Sequence, residues 1–550
     1  MSAPELPRGY HVENLSRLLN SVMDQYADLL EENEHKLFSG FQCLSAQGKS
    51  LYYRLLTRRG QAIRIDKLNY ADIDDLHSTM QELCRSDMAT INSHLEPDAL
   101  LNLLTRQELV KLFPIAGHSK LAKHSLIEHI NQHHKAEILQ SEIGQHYPYA
   151  EALFQPAFET FKVCFFGNSH QDLTEFVVND LGHVQYERYS LCKATRYFQT
   201  RQQIETQISY SNAKQQLEDS SLLQDKNALI ALANSLPLPD QHAHINRRYQ
   251  RVIITIARQL ERLTHLDAAL ALYRQCNLHP CRERSARILR KQGLEDESLH
   301  ICSQIVEQSK HPEELEFALR FQGKRQQAQT WQNHNLHLPN SGASVEIQAA
   351  CALSDQQHKC YYVENSLING LFGLMFWDII FSAVNGAFIN PFQRAPLDLF
   401  SEAFYERRQQ AINNRLALLQ PALNQPLKQP PAALLPWQQL ILDHFHNKEG
   451  LANPFVYWEQ LPLDLLELAI TSIPAADLHC IFIRILQHPG LFRNGFPDLI
   501  RFSNTGYELI EVKGPGDKLQ ANQTRWLKYF QKKGIPSSVV WVSWLDGDTR

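Results

Sequence analysis

The sequence predicts a multidomain, mostly helical α+β protein that ends in a smaller α/β domain. Its 550 residues are too many for one hydrophobic core, which favours several domains. Helical periodicity dominates the chain up to about residue 340, whereas strand, strand, helix and strand patterns follow one another in the last 55 residues. The 43% of apolar and 21% of charged residues are typical of a soluble globular protein.

The overall charge is slightly negative, with 54 Lys and Arg against 59 Asp and Glu. A nucleic-acid-binding surface would therefore be a local patch rather than a property of the whole chain. The ten cysteines include no C-x-x-C pair, which favours reduced thiols over a structural zinc site. The N-terminus lacks the apolar segment of a signal peptide, and the apolar run Leu371–Phe388 contains Asp378 and Asn385. We therefore expect an intracellular protein with no membrane segment.

Residues 1–95 are predicted to form a winged-helix-like DNA-binding region. The segment Ser50–Leu68 has the pattern of a helix that stops at Gly60 and continues into a short alternating strand. Three arginines have the i, i+4 and i+5 spacing of one helix face: Arg54, Arg58 and Arg59. That face either contacts DNA phosphates or is simply solvated.

Residues 96–135 are predicted to form a helical hairpin. Two short amphipathic helices, Leu104–Phe113 and Leu121–Ile130, are separated by a break that contains proline and glycine. The pattern resembles a SAP-type DNA-binding hairpin, with Lys120 and Lys123 as candidate phosphate contacts, but a plain helical hairpin fits the pattern nearly as well.

A helical connecting region with a proline-containing linker is expected in residues 136–245. His242 and His244 in that linker are read as polar surface, because no third metal ligand has suitable spacing. Residues 246–340 contain a weak repeat in which Gly293 and Gly323 are 30 residues apart. That period is near that of tetratricopeptide helix–turn–helix repeats, which usually form a scaffold for a protein partner.

The segment GFPDLIRFSNTGYELIEVKGPGDKLQANQTRW, from Gly495 to Trp526, predicts a β-hairpin with a turn at Ser503–Gly506. In an antiparallel hairpin the two residue numbers of every pair add up to the same value, so pairing about this turn places Asp498 opposite Glu511. Their Cβ atoms should then lie roughly 5 Å apart. Lys513 lies two residues after Glu511 and therefore on the same side of the sheet.

Two carboxylates this close repel each other unless a cation lies between them. A hard divalent ion such as Mg²⁺ takes oxygen ligands and could also use the backbone carbonyl of Val512. Lys513 would then position the attacking water or contact the scissile phosphate. The alternative is an Asp/Glu/Lys salt-bridge set at an exposed sheet edge.

The hairpin is followed by an amphipathic helix and a buried strand, Ser537–Trp544. The apolar stripe of the helix is formed by Leu519, Trp526, Leu527 and Phe530. Gln523 lies one turn before Trp526, where it either points at the active-site phosphate or packs at the edge of the core.

These motifs resemble the VRR-NUC branch of the PD-(D/E)xK nucleases and, more closely, the Fanconi-associated nuclease family. The resemblance extends to Phe41–Gly60, the helical hairpin, the repeats and Tyr361–Phe381. It implies a restriction-endonuclease-like core in residues 341–550. It also implies 5′-flap endonuclease and 5′-3′ exonuclease activities in DNA repair, including interstrand-crosslink repair.

The resemblance further implies that Glu364, Asp498, Glu511 and the Val512 carbonyl hold one or two Mg²⁺ or Mn²⁺ ions, with Lys513 assisting the attack. Asp378 is a rival of Glu364, but on one continuous helix it would lie roughly 21 Å away, so we assign it a structural role. Asn522 departs from the basic residue that relatives can carry there, so no residue is assigned to a 5′-phosphate pocket.

The expected partner is branched DNA, either a 5′ flap or a nicked duplex. A protein partner could bind the repeats, and the sequence leaves the oligomeric state open. Three alternatives stay open: a non-catalytic branched-DNA-binding protein, a repeat scaffold and a four-way-junction resolvase. We expect a cytoplasmic, nucleoid-associated protein if the source is bacterial, and a nuclear one only if it is eukaryotic, for which no clear signal is seen.

Overall fold

A computed structural model describes residues 9–58, 60–114, 121–169, 171, 176, 184–239, 241–309, 311–323, 331–420, 434–504 and 506–545. Arg59 and Lys120, two of the candidate DNA contacts, lie outside the described residues. The chain divides into two compact units, the first comprising residues 1–183 and 198–216 and the second residues 184–197 and 217–550.

The first unit is a helical domain with one small sheet. Its helices are α1 (Tyr10–Tyr26), α2 (Glu32–Cys43), α3 (Ala46–Thr57), α4 (Leu76–Arg85), α5 (Pro97–Asn102), α6 (Arg106–Leu112), α7 (Lys123–His133), α8 (Ala136–His146), α9 (Gln155–Phe166) and α10 (Arg201–Gln216). Its antiparallel strands, in the order β1-β3-β2, are β1 (Ile63–Arg64), β2 (Ala89–Ile91) and β3 (Tyr149–Ala152).

The central strand of this sheet, β3, lies far along the chain from its two neighbours. Helices α5 to α8 are inserted between β2 and β3, and their buried side chains form a separate core that includes Leu109, Leu126 and Ile130. The two helices of the hairpin predicted from the sequence are present as α6 and α7, and residues 115–120 of the predicted turn lie outside the described residues. Its likeness to a SAP hairpin stays a prediction.

The prediction that three arginines share one face of α3 is wrong. The helix ends at Thr57, and Arg58 is in an extended conformation with φ −74° and ψ 150°. The chain must leave the helical conformation here to enter β1, so the helical spacing does not continue past Thr57.

After residues 184–197, the second unit continues with α11 and the repeats. Its helices up to the end of the repeats are α11 (Lys226–Ser235), α12 (Ala243–Arg262), α13 (Leu266–Tyr273), α14 (Cys281–Lys291), α15 (Glu295–Gln308) and α16 (Pro312–Phe321). Gly293 and Gly323 follow α14 and α16 with φ of 81° and 75°. Both glycines therefore end a helix in the left-handed conformation, at equivalent points of successive repeats.

The run of basic residues on α14 does not form an unpaired basic face. Four of its arginines form ion pairs with glutamates: Arg282 with Glu314, Arg284 with Glu261, Arg287 with Glu283 and Arg290 with Glu295. Three of these pairs connect α14 to neighbouring helices of the repeats, whereas Arg287 and Glu283 both lie on α14.

The rest of the second unit surrounds a five-stranded sheet. Its helices are α17 (Val345–Ala352), α18 (Leu367–Met375), α19 (Trp377–Ile380), α20 (Ala403–Ala417), α21 (Pro436–Lys448), α22 (Leu463–Ser472), α23 (Ala475–Gln487), α24 (Pro489–Phe492) and α25 (Ala521–Lys533). Its strands are β4 (Asn333–Leu338), β5 (His358–Tyr362), β6 (Leu499–Ser503), β7 (Gly506–Lys513) and β8 (Ser537–Trp544).

The sheet has the strand order β4-β8-β7-β6-β5, in which β6 is antiparallel to both β5 and β7 and β8 is parallel to both β7 and β4. Alternate residues of β6 and β7 face two cores. Leu499 and Ile510 pack in the core that includes α17, whereas Ile500 and Leu509 pack against the large helical core that includes Trp526. Asp498 and Glu511 are two residues away from Ile500 and Leu509 and therefore belong to the same face of the sheet as these residues.

Within the described residues no single helix is long and apolar enough to cross a membrane. The bent pair α22 and α23, with 108° between its two helices, passes the same test of length and composition only when taken together. Both helices contribute to the large helical core.

Candidate nuclease site

The hairpin of β6 and β7 has the predicted register. Leu499 pairs with Ile510 and Ser503 pairs with Gly506, so paired residue numbers share the sum expected from the turn. Asp498 directly precedes β6, and Glu511 lies next to Ile510 on β7. The period of two residues and the tight turn therefore bring the two acids to the same place.

Asp498 is held by backbone groups of two neighbouring strands. Its Oδ2 accepts a hydrogen bond from the Val512 N–H at 2.8 Å, and its own carbonyl accepts one from the Val363 N–H at 2.8 Å. The residue as a whole is 7% exposed. These contacts fix its position at the end of the hairpin and bring the chain just after β5 beside it.

Glu511 and Lys513 form an ion pair on the same side of β7. Lys513 Nζ lies 2.7 Å from Glu511 Oε1, and the two side chains are 9% and 0% exposed. Both Glu511 oxygens are buried, and apart from this ion pair no described group satisfies them. The alternative of a salt-bridge set at an exposed sheet edge is therefore wrong, because the acids and the lysine are buried.

Burial dominates the electrostatics of the two acids. It raises the pKa of Asp498 to about 6, although the Val512 N–H and Lys513 act in the opposite direction. Burial, and then the charge of Asp498, raise the pKa of Glu511 to about 8, against the influence of Lys513. One ammonium is therefore too little positive charge for two buried carboxylates.

Glu364 lies near the pair. The sequence had placed this residue on a helix, but in the structure it is not on one. It occupies the turn between β5 and α18, is exposed, and accepts a hydrogen bond from the Tyr362 hydroxyl at 2.7 Å. Its charge contributes to the raised pKa of Asp498. The helix begins only at Leu367, because Asn365 has a φ of 52°, in the left-handed region.

Sequence reasoning missed Glu346, a fourth carboxylate whose charge acts on Asp498 and on Tyr362. It lies in the first turn of α17, and the preceding Val345 packs close to Gly514 at the end of β7. The available signal was Ser344, which caps α17 and so places an acid at a helix N-terminus shortly before β5.

Gln523 has a contact that neither sequence interpretation anticipated. Its Oε1 accepts a hydrogen bond from the Gln520 N–H at 2.8 Å, as part of a capping box at the start of α25. The oxygen is therefore engaged with the helix end. A contact between Gln523 and a DNA phosphate stays a prediction.

The described candidate DNA contacts already have partners within the protein. Arg54 donates to both oxygens of Asp72, and Lys123 donates to the Asn102 carbonyl at 3.1 Å. Arg58 lies 5.8 Å from the centre of the Tyr70 ring. Their roles in binding DNA stay predictions.

Asp378 is engaged elsewhere, in agreement with the structural role predicted for it. Its Oδ2 lies 2.7 Å from Arg415 Nη2, and that cation helps to lower the pKa of Asp378. The apolar segment is also divided into α18 and α19 at Phe376.

The donor set at the end of β7 fits a divalent cation. Four carboxylates contribute negative charge at this position. Two of them are buried and have raised pKa values. Both oxygens of Glu511 lack a hydrogen bond within the described residues. The donors are oxygens, which hard cations prefer. Glu364 would have to exchange or share its bond with Tyr362 to join them.

Comparison with known proteins gives matches for both ends of the chain. The FAN1 HTH domain family matches residues 9–90, and the VRR-NUC domain family matches residues 436–544. Glu364 and Glu346 lie outside the second match.

Relatives match over nearly the whole chain. The Fanconi-associated nuclease 1 homolog of Pseudomonas aeruginosa is 31% identical over 99% of this chain and 98% of its own length. The homolog of Arabidopsis thaliana is 23% identical over 95% of this chain but only 65% of its own length. A crystal structure of paFAN1 bound to 5′-flap DNA with a 2-nucleotide flap and a gap superposes with a TM-score of 0.80 at 30% identity, covering 99% of this chain and 100% of that one.

Proposed function

This chain belongs to the Fanconi-associated nuclease family, and we propose that it cuts DNA at 5′ flaps with Asp498, Glu511 and Lys513 at the catalytic centre. As a member of this family it is a structure-selective DNA nuclease. The proposal includes 5′-3′ exonuclease activity and a role in the repair of interstrand crosslinks. The observation that carries it is the buried pair of acids beside one lysine.

The proposed cofactor is Mg²⁺ or Mn²⁺. Asp498, Glu511, the Val512 carbonyl and Glu364 would hold it, because all four offer oxygen atoms and three of them lie on two adjoining strands and their ends. When bound, such an ion neutralises charge on the phosphate and lowers the pKa of water at the site. Glu346 is near enough to add negative charge.

The protein's own groups have separate tasks in the proposed reaction. The Val512 N–H fixes the orientation of the Asp498 carboxylate. Lys513 is the buried cation, and its ammonium would donate to a non-bridging phosphate oxygen or orient the attacking water. Glu511, whose pKa is raised by burial, would give up its proton where a bound cation supplies the positive charge that Lys513 alone does not.

Branched DNA is the proposed partner because the superposed relative is bound to 5′-flap DNA. The helical domain and repeats would hold duplex DNA by phosphate contacts without reading sequence, and these contacts would set the position of the branch. We place this activity in the cytoplasm on bacterial nucleoid DNA. A protein partner of the repeats remains part of the proposal.

The test compares end-labelled 5′-flap, 3′-flap, nicked and four-way DNAs as substrates in Mg²⁺ or Mn²⁺. Wild type should cut the 5′ flap in preference, and Asp498→Ala should lower the single-turnover rate by at least about 100-fold. Asp464→Ala removes an exposed acid outside the site and serves as the matched control. Equal rates for wild type and Asp498→Ala would exclude this centre.

The same experiment separates the alternatives. Binding of branched DNA without cleavage by wild type would favour a DNA-binding protein, and absence of both would favour a scaffold. Symmetric cutting of the four-way DNA in preference to the 5′ flap would favour a junction resolvase.

A further inference from the structure

A second group of metal-ligating side chains lies among the repeats, on chain segments that contribute nothing to the nuclease site. His279 precedes α14, and His311 and Glu313 are at the start of α16. One ligand atom from each lies within 4.8 Å of the others, and the described residues contain no other set of three that meets this distance. The turns of two successive repeats therefore bring three donors together.

A third histidine adjoins this group. The rings of His279 and His311 are stacked with centres 4.4 Å apart, and the ring of His488 meets His311 edge-on at 4.6 Å. The Nδ1 atoms of His311 and His488 are buried and have no hydrogen-bond partner within the described residues. Leaving buried polar nitrogens unsatisfied is costly, and two of them in one cluster indicate that a partner is missing.

A carboxylate adjoins one of these imidazoles. Glu283 Oε2 lies 3.4 Å from His279 Nε2. A carboxylate on one ring nitrogen is the usual outer partner of a metal-bound histidine, and it leaves the other nitrogen free to act as ligand.

We propose that His279, His311 and Glu313 bind a structural zinc ion, and that His488, which lies outside the 4.8 Å group, turns toward the ion as the fourth ligand. Two or three imidazoles and one carboxylate suit Zn²⁺, whereas Mg²⁺ prefers oxygen donors. The ion would join two turns of the repeats to the residue that precedes α24 of the nuclease region.

Formation of the site would not leave a buried cation unpaired. Glu313 lies 3.3 Å from Arg525 Nη2, but Arg525 also forms two hydrogen bonds with Glu316, at 2.7 and 2.9 Å. Glu313 can therefore turn to the metal while Glu316 continues to neutralise Arg525. The proposal is independent of the nuclease function, since the two sites share no residue.

The test uses the full chain after removal of metal by a chelator. Titration with Co²⁺ should give the visible absorption of a tetrahedral site, saturating at one equivalent and reversed by Zn²⁺. His311→Ala should weaken binding by about 10–100-fold. His300→Ala removes an exposed histidine of α15 in the same repeats and should leave binding unchanged.

A second readout covers the case in which His311→Ala does not fold. Zn²⁺ should raise the Tm of wild type, because the assembled site binds it more tightly than the unfolded chain does, and Glu313→Gln should reduce that rise. Glu511→Gln should retain both signals, since it alters only the nuclease site. The proposal is overturned if wild type gives no such absorption, if His300→Ala loses it equally, or if Glu511→Gln abolishes it.

Discussion

At the scale of single residues, Glu511 most directly limits the chemistry of the nuclease site. It is fully buried, and among the described residues the cation paired with it is Lys513, 2.7 Å away. A carboxylate in this position is stable only when protonated or when more positive charge is supplied. The metal-free protein therefore keeps a proton on Glu511 to a higher pH than an exposed glutamate would.

The first prediction concerns the pH dependence of stability in the metal-free protein. The pKa of Glu511 is about 8 in the folded chain and about 4.3 in an unfolded one. Between these values the unfolded chain has lost a proton that the folded chain keeps, so stability falls as pH rises, with a limit of about 1.4 kcal/mol per pH unit from this group. Thermal unfolding with chelator should show that Glu511→Gln flattens this decline.

The comparison with Glu511→Gln should be made at several pH values. The two proteins should unfold at similar temperatures at pH 5, and the variant should be the more stable one at pH 8. Saturating Mg²⁺ or Mn²⁺ should raise the Tm of wild type more than that of the variant at pH 8. Parallel curves in the absence of metal would contradict the assignment of the raised pKa to Glu511.

The second prediction concerns the lysine. Lys513→Met keeps most of the side-chain volume but removes the buried charge, so we expect the single-turnover cleavage rate to fall by about 100-fold or more. DNA affinity should change much less, because one buried cation contributes little to a many-phosphate contact. Lys532→Met, at an exposed position of α25, is the control. An unchanged rate for Lys513→Met would remove this residue from the mechanism.

At the scale of structural elements, the approach of α25 to the start of β6 positions Asp498. Gly495 has a φ of 84°, and a Cβ atom there would lie 2.8 Å from backbone and side-chain atoms of Asn522 in the first turn of α25. The Trp526 indole N–H also donates to the Asn494 carbonyl at 3.2 Å. A side chain at position 495 would therefore push these two elements apart.

The third prediction compares two glycines with nearly the same conformation. Gly516 has a φ of 86° and open space around it, so Gly516→Ala should cost only about 1–2 kcal/mol of backbone strain. Gly495→Ala should cost a further ~1–3 kcal/mol from the clash with α25. Chemical denaturation measures the difference, and cleavage should fall more in Gly495→Ala. Equal losses in the two variants would show that the contact with Asn522 is unimportant.

At the scale of the second compact unit, an ion pair with a largely buried arginine connects the repeats with the nuclease core. Arg525 of α25 is 10% exposed and makes a two-pronged contact with Glu316 of α16. The proposed zinc site lies close by, since Glu313 also pairs with Arg525. The repeats and the core are therefore joined by specific charges in addition to packing.

The fourth prediction is a double-mutant cycle on this connection. Arg525→Met and Glu316→Gln, alone and together, should give a coupling energy on the order of 1 kcal/mol, because the arginine is largely buried and its contact is bidentate. The exposed pair Arg274 and Glu297, with both side chains 56% exposed, should give only a few tenths. Similar coupling in the two cycles would contradict a special role for Arg525.

Local rules determined the centre of the site from the sequence. The turn at Ser503–Gly506 fixes the register of the hairpin, and the two-residue period then places Asp498, Glu511 and Lys513 together. Such contacts span only a few residues, so sequence spacing specifies them. The same locality explains why the glycine-ended helices of the repeats were predicted correctly.

Tertiary structure alone decided what surrounds that centre. Glu346 and Glu364 reach Asp498 from chain segments more than 130 residues earlier, β3 joins a sheet whose other strands precede it by about 60 to 85 residues, and three histidines meet from three separate loops. The burial that raises the pKa of Glu511 also requires the complete helical core. No periodicity encodes these contacts, because each depends on the packing of elements that are distant in the chain.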